Sequence, residues 1–493
     1  MLDVFFSTLT DPVALGLCLA GVTAGLLFGA VPGVSSTMAL AVMLPLTYGM
    51  SPENAMMLML GVFFSSVYAG SVSAILLNIP GTPGAMMTLL DGHPMARNGQ
   101  AGYAMTYALV ASIVGGIFGW FFLTTTAPFI AQYALKFGSP EYAAVVFFGL
   151  ILVAYAASGD ILRGIVAGII GLMIGAIGRD VVTDVPRFTF GMPSLESGID
   201  IIPLAIGLFG ISEALSSIEK TPSKLQVATA PLGRLMPPWR DILRELPAML
   251  RASTVGALVG AIPAAGSAVA VAVAYSFEKR LSSTPEKFGT GLARGVVAPE
   301  ASNNACVGGA LIPMMTLGIP GDSITAVLIG VLLLHGLRPG PGLFDSQPEF
   351  VSTIYVALLF AIVLTALIAG TLGIRVYNRV LQLPRRMLFT GVILLCLLGA
   401  FAVRNSFFDV WVAILSGGLG YGFTKLGIPV LPLAFGAVLG PILEENLRRT
   451  LMIYKDWTIF FERPISLALI TIALLVLLGP LLVRAVQFVR ARR

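Results

Sequence analysis

Long apolar stretches, separated by short polar segments, follow one another along the whole chain. Several are close to or above the ~20 residues that a helix needs to cross a bilayer, among them 200–217, 350–373 and 464–483. The pattern predicts an all-α polytopic membrane protein that forms one transmembrane domain over residues 1–493.

Composition and charge agree with this prediction. Hydrophobic residues make up 57% of the chain and charged residues only 11%, against about 25% charged residues in soluble domains. The net charge is +5, but the basic residues cluster between apolar stretches, so they indicate topology and no nucleic-acid partner. The three cysteines lie in separate apolar stretches without Cys-x-x-Cys spacing, which predicts neither a disulfide nor a metal site.

The basic residues also orient the chain, because Lys and Arg near the ends of spans mark the cytoplasmic side. The loop 218–251 is rich in them and is therefore predicted to be cytoplasmic. Counting back through the apolar stretches of 104–217 returns the chain to the same side at Arg97. No Lys or Arg precedes Arg97, so residues 12–48 are expected to begin and end outside.

An apolar stretch that returns to the side it came from must form a hairpin. Residues 12–48 are interrupted near their middle by Pro32-Gly33, and Pro and Gly are the residues expected at a helix break. Residues 252–276 lie between two basic loops and are interrupted at 263–266. We therefore predict two broken hairpins, which enter the membrane from opposite sides.

Two motifs occur twice, in the same order. Gly-x-x-x-Gly-x-x-Pro occupies 25–32 and 256–263, and Ile-Pro-Gly occupies 79–81 and 319–321. We interpret the halves as inverted-topology repeats, each with a broken re-entrant-type hairpin and a Pro-Gly-interrupted helix, a plan typical of secondary transporters. The predicted organisation is a first repeat core at 12–103, connecting helices at 104–217, the cytoplasmic loop at 218–251, a second repeat core at 252–342 and C-terminal helices at 343–493.

Breaks at membrane depth are candidate binding sites, because exposed backbone is tolerated there only in contact with protein or a water-filled cavity. A helix that begins after a break offers free N–H groups and a positive dipole end, which attract an anion such as a carboxylate. The candidate solute contacts are the residues at and beside the breaks: Pro32, Gly33, Ser35, Ser36, Asn78, Pro80, Gly81, Thr82, Pro263, Gly266, Ser267, Asn303, Asn304, Pro320 and Gly321.

Polar residues near the second break could also hold a coupling cation, and the candidates are Asn303, Asn304, Asp322 and Ser323. Asp322 and Glu300 are ionisable groups in apolar surroundings, where a charge usually has a function. Each could carry a proton or bind a cation, or could cap a helix start. We favour capping for Glu300 and leave both roles open for Asp322. The two histidines are expected near the membrane interface.

The stretches 24–50, 68–104 and 291–341 resemble the large membrane subunit of the tripartite tricarboxylate transporters, the TctA family. They read AGLLFGAVPGVSSTMALAVMLPLTYGM, YAGSVSAILLNIPGTPGAMMTLLDGHPMARNGQAGYA and GLARGVVAPEASNNACVGGALIPMMTLGIPGDSITAVLIGVLLLHGLRPGP. One position departs from the family pattern, because Ala264 follows Pro263 where the family usually has Gly.

The resemblance implies a multi-pass subunit of the bacterial inner membrane that imports small di- or tricarboxylates. It implies coupling to a sodium or proton gradient and no other cofactor. The implied partners are a small four-helix membrane subunit and a periplasmic solute-binding protein.

Two alternatives belong to other classes. An enzyme is disfavoured, because the chain has no His-Glu-x-x-His, Gly-x-Ser-x-Gly or Walker A motif. A gated channel, or a permease for another anionic solute, stays open as the alternative to the carboxylate transporter.

Overall fold

The structure, a computed structural model, describes residues 1–156, 161–180, 183–220, 234–373 and 385–491. In these ranges nine helices are long and apolar enough to cross a membrane, so the prediction of an all-α polytopic membrane protein is confirmed. The elements are α1 Leu2–Thr10, α2 Pro12–Ala30, α3 Ser36–Met43, α4 Pro52–Leu77, α5 Thr88–Met95, α6 Ala101–Ala134, α7 Ser139–Ala156, α8 Ile161–Gly175, β1 Gly178–Arg179, β2 Pro186–Arg187, α9 Pro193–Glu196, α10 Ile201–Ala205, α11 Ser212–Lys220, α12 Trp239–Gly260, α13 Gly266–Leu281, α14 Ala293–Leu317, α15 Ser323–Leu334, α16 Gly342–Ser346, α17 Pro348–Ile368, α18 Arg385–Arg404, α19 Phe407–Lys425, α20 Val430–Tyr454, α21 Ile459–Glu462 and α22 Pro464–Ala491.

Short helical segments of other types join some of these helices. They are 3-10 turns at Leu44–Thr47, Pro83–Ala85 and Pro285–Lys287, and π-helical segments at Ala96–Gln100, Ile206–Ile211 and Ala369–Gly373.

Helix starts follow from local sequence. Asp11 precedes Pro12 and accepts a hydrogen bond of 2.8 Å from the N–H of Val13, which caps α2. Ser51 caps α4 in the same way in front of Pro52. Both helices therefore begin at a capping residue followed by proline.

Glycines set the packing in both halves. The first half packs α2 against α4, and a Cβ on Gly25 would lie 2.6 Å from the carbonyl oxygen of Val62. The second half packs α12 against α14, and a Cβ on Gly260 would lie 2.6 Å from the carbonyl oxygen of Cys306. A side chain at either position would force the helices apart, so these glycines serve helix packing.

The halves share an order of elements. In each, two helices joined by a short non-helical segment are followed by a long helix that ends in a Pro-Gly break. Their opposite orientation in a bilayer stays a prediction. Helix α12 begins at Trp239, so part of the segment 218–251, which the charge pattern assigned to a loop, is helical; residues 221–233 of that segment lie outside the described ranges.

The C-terminal helices pack on the connecting helices. Helix α20 packs against α7 and α8, and α19 against the π-helical segment Ile206–Ile211. An ion-pair network ties α20 to the β1–β2 hairpin, because Asp180 accepts from Arg448 at 2.8 Å and Glu444 pairs with Arg187 at 2.7 Å. The hydrogen bond with Glu444 raises the pKa of Arg187 above its ordinary value.

A fully buried carboxylate joins the two halves. Asp91 of α5 accepts hydrogen bonds from the Tyr275 hydroxyl at 2.9 Å and from the N–H groups of Gly289, Gly291 and Leu292 at 2.8–3.0 Å. Asp91 thereby fixes the loop that leads into α14.

We expect Asp91→Asn to destabilise the protein by about 1.5–3 kcal/mol, because the new amide NH₂ would point at groups that are themselves donors. The melting temperature in detergent checks this. Asp345→Asn, at an exposed position on α16, is the matched control and should melt like the wild type. Equal melting temperatures of the wild type, Asp91→Asn and Asp345→Asn would contradict the stabilising role of Asp91.

Candidate functional site

Four interruptions of helices meet in the interior. They are the first hairpin tip, 31–35, the first Pro-Gly break, 78–82, the second tip, 261–265, and the second break, 318–322. Thr37, just after the first tip, shares a hydrogen bond of 2.7 Å with Ser323, just after the second break. The N–H of Ala264 donates to the carbonyl oxygen of Gly321 at 2.7 Å. Tips and breaks therefore satisfy one another's polar groups.

Between these interruptions lies a cavity of about 430 Å³, which we name the central cavity. Its volume is in the range of small-molecule sites, about 300–1,000 Å³. The residues of the tips and breaks that line it, with their neighbours, are Ser35, Ser36, Thr37, Thr82, Pro83, Ala264, Ala265, Gly266, Ser267, Asn303, Asp322 and Ser323.

Three buried polar atoms in this wall have no hydrogen-bond partner: Ser36 Oγ, Thr82 Oγ1 and Asn303 Oδ1. Their residues are only 3%, 6% and 1% exposed. Buried polar groups in folded proteins are nearly always paired. The cavity thus has the features of a binding site for a ligand that forms hydrogen bonds.

Three helix starts present N–H groups and positive dipole ends to the cavity. Helices α3, α13 and α15 begin at Ser36, Gly266 and Ser323, all of which line it. Their N-terminal N–H groups and dipoles favour an anion. The described residues that line the cavity include no Lys, Arg or His.

Two carboxylates also line the cavity, those of Asp322 and Glu213. Asp322 is the N-cap of α15, and its Oδ1 accepts from both the N–H and the hydroxyl of Thr325 at 2.8 Å. Of the two roles considered for Asp322, the geometry shows capping.

Sequence reasoning missed Glu213. Its Oε2 accepts a hydrogen bond of 2.6 Å from the Ser35 hydroxyl, while the hydroxyl of Ser217, one turn later on α11, donates to the carbonyl oxygen of Gly33 at 2.7 Å. Helix α11 thus holds the first tip at two points. The available signal was an ionisable residue inside the apolar stretch that starts at 200.

The predicted site residues fall into groups. Eight line the central cavity: Ser35, Ser36, Thr82, Gly266, Ser267, Asn303, Asp322 and Ser323. Another four line an adjoining cavity of about 590 Å³, which also reaches Ser35, Thr82 and Glu213: Pro32, Gly33, Pro80 and Gly81. Pro263 lines a third cavity of about 470 Å³. The others line none of these three cavities: Asn78, Asn304, Pro320 and Gly321.

The capping role favoured for Glu300 is wrong. Glu300 lies inside α14, which begins seven residues earlier at Ala293 and continues through Pro299. Its side chain is fully buried and accepts hydrogen bonds from Thr88 and Ser112. Proline is tolerated within this helix, so Pro299 does not mark a helix start.

The two histidines lie outside the three cavities and contact backbone carbonyl oxygens. His93 Nδ1 is 3.0 Å from the oxygen of Ile75, and the His335 ring nitrogens are 2.8 and 3.2 Å from those of Val331 and Thr47. These contacts give both rings a structural role.

A multi-pass helical protein with a polar cavity between interrupted helices has the architecture of a membrane transport protein. The model of the tripartite tricarboxylate transporter TctA family matches residues 15–435, and the chain belongs to this family of membrane transporters. The family name indicates that it works together with other subunits.

Two relatives come from Agrobacterium vitis. The "Uncharacterized 52.8 kDa protein in TAR-I ttuC' 3'region" is 34% identical over 478 residues, 96% of this chain and 94% of that protein. The "Uncharacterized protein in TAR-II ttuC' 3'region" is 36% identical over 232 residues, 46% of this chain and 94% of that protein. No solved structure matches the chain.

The two hairpin tips differ at the residue that follows the proline. Gly33 and Ala264 each follow the tip proline, and both adopt left-handed φ angles, +88° and +64°. This conformation costs a residue with a Cβ roughly 1–2 kcal/mol. We expect Ala264→Gly to raise the melting temperature, because it removes that strain and keeps the hydrogen bond to Gly321.

Ala268→Gly, within α13 on the same cavity wall, is the control and should lower the melting temperature, since Gly costs about 1 kcal/mol inside a helix. A fall of equal size in both variants would contradict strain at Ala264.

Proposed function

We propose that this chain is the large membrane subunit of a secondary transporter that imports small di- or tricarboxylates across the bacterial inner membrane. The solute binds in the central cavity. The observation that carries the proposal is the set of three buried, unpartnered polar atoms at the meeting point of four helix interruptions. A periplasmic solute-binding protein delivers the solute, and a small four-helix membrane subunit completes the assembly.

A carboxylate suits this cavity for electrostatic reasons. Its oxygens can accept from the hydroxyls of Ser36 and Thr82, and the positive dipole ends of the helix starts favour its charge. The names of the two relatives give no substrate. The proposed substrate class, a carboxylate, therefore rests on the family and on these donors.

The carboxylates in the cavity wall make a coupling cation necessary for the binding of an anionic solute. A dianion or trianion would enter beside Glu213 and Asp322, where like charges repel strongly at low dielectric. A sodium ion or proton that enters with the solute offsets this repulsion. Of the predicted coupling residues, Asn303, Asp322 and Ser323 lie in the cavity wall, and Asn304 follows Asn303 on α14.

In this transporter, access to the cavity alternates between the two sides of the membrane. The tips and breaks of the two halves move apart first on one side and then on the other. The hydrogen bond between Thr37 and Ser323 joins the two halves at the wall of the cavity. In an inverted-repeat arrangement, rocking of one half against the other opens the cavity to each side in turn.

The first experiment is uptake of labelled di- and tricarboxylates by cells that express this chain with its small subunit, with and without the binding protein. We expect saturable uptake that needs the binding protein and stops when the sodium and proton gradients are collapsed. Passive flux that needs no binding protein would favour the gated channel, and uptake of another anion class would refute the carboxylate assignment.

Single substitutions in the cavity wall test the site. We expect Ser36→Ala and Thr82→Ala each to raise the KM for uptake about tenfold or more, because a hydrogen bond to a charged solute is lost. Ser253→Ala is the matched control, since the Ser253 hydroxyl is equally buried but donates to the backbone of its own helix at Met249. Unchanged KM in both cavity variants would place the solute elsewhere.

A further inference from the structure

A second buried polar cluster lies outside the central cavity, around Glu300. The Glu300 side chain is fully buried, and its two oxygens accept from the hydroxyls of Thr88, at 2.5 Å, and Ser112, at 3.2 Å. Thr88 and Ser112 belong to α5 and α6, whereas Glu300 belongs to α14. Both halves of the chain therefore contribute to this cluster.

The carboxylate of Glu300 has no basic partner among the ion pairs of the described residues. Two neutral hydroxyls do not offset the cost of burying a charge, which amounts to several kcal/mol. A group in this position binds a proton or a metal cation, or it would not remain buried.

Asn304 provides a second, independent observation. It lies four residues after Glu300 on α14, so both side chains are on one face of the helix. Asn304 is fully buried, and neither its Oδ1 nor its Nδ2 has a hydrogen-bond partner. The amide oxygen of Asn304, which has no hydrogen-bond partner, thus lies one helical turn from a carboxylate that has no basic partner among the described residues.

We propose that Glu300, Asn304, Thr88 and Ser112 form a binding site for one monovalent cation. The cation is a proton on the Glu300 carboxyl group or a sodium ion held by carboxylate, amide and hydroxyl oxygens. A role in coupling, in addition to the cation that enters the central cavity with the solute, rests on the proposed function. The binding of a cation at Glu300 does not depend on it.

Two elements connect this site with the central cavity. On α14, Asn303 lies between Glu300 and Asn304 in sequence, and its side chain forms part of the cavity wall. On the other side, Thr88 belongs to the helix that follows Pro83, which also lines the cavity. A cation that fixes these elements would strengthen solute binding, and the solute would strengthen cation binding by the same factor.

Thermal melting of the purified full-length chain, without any carboxylate solute, tests the cation site directly. A ligand that binds only the folded state raises the melting temperature with its concentration. One series varies NaCl against choline chloride at constant pH and ionic strength. The other varies pH in choline chloride alone. A response to sodium identifies a sodium site, and stabilisation by acid alone identifies a proton site.

We expect Glu300→Gln to abolish the cation-dependent part of the melting temperature. Glu141→Gln is the matched control, because Glu141 is also a buried carboxylate but accepts from Gly138 and pairs with Arg463, away from the cluster. The control should keep the wild-type response to cations whatever its own stability.

Ser112→Ala and Asn304→Ala keep the test decisive if Glu300→Gln does not fold. Each should raise the cation concentration at half-response about tenfold. A wild type that responds to neither cation, or variants with the wild-type midpoint, would overturn the site. Because no solute is present, this outcome is separate from any failure of carboxylate uptake.

Discussion

Backbone N–H and C=O groups that leave a helix at membrane depth must find partners inside the protein, since lipid offers none. The central part of this structure depends on how that constraint is met at four places. The N–H of Gly81 bonds to Gly70, that of Ala264 to Gly321, and the carbonyl of Gly33 accepts from Ser217. The second tip and the second break bond to each other, whereas the first break bonds to α4 and the first tip to α11. The space between the four interruptions is the central cavity.

Close packing around the cavity depends on glycine, because helices that approach this closely leave no room for a side chain. Helix α2 approaches α4, and α12 approaches α14, at distances that exclude a side chain. The backbones of the paired helices are therefore in direct contact. Each tip lies beside the Pro-Gly break of the same half. Both halves contain such a close helix pair, and each contributes residues of its tip and its break to the cavity wall.

The repeat explains how much the sequence could predict. Pro-Gly pairs and matched motifs predicted where helices stop, and the structure interrupts helices at those positions. Glu213 was missed because it belongs to α11, outside both repeats, and only tertiary folding brings it to Ser35. The role of Glu300 was misjudged because Pro299 was taken as a helix start, whereas tertiary packing carries α14 through it.

The tips themselves are not equal. Gly33 adopts its left-handed conformation at little cost, whereas Ala264 adopts the same conformation against a steric preference of roughly 1–2 kcal/mol. A difference of that size changes the ratio of two populations by roughly five- to thirtyfold. A rearrangement that relieved the strain at Ala264 would therefore be favoured at the second tip and not at the first, so a single methyl group makes the two tips energetically unequal.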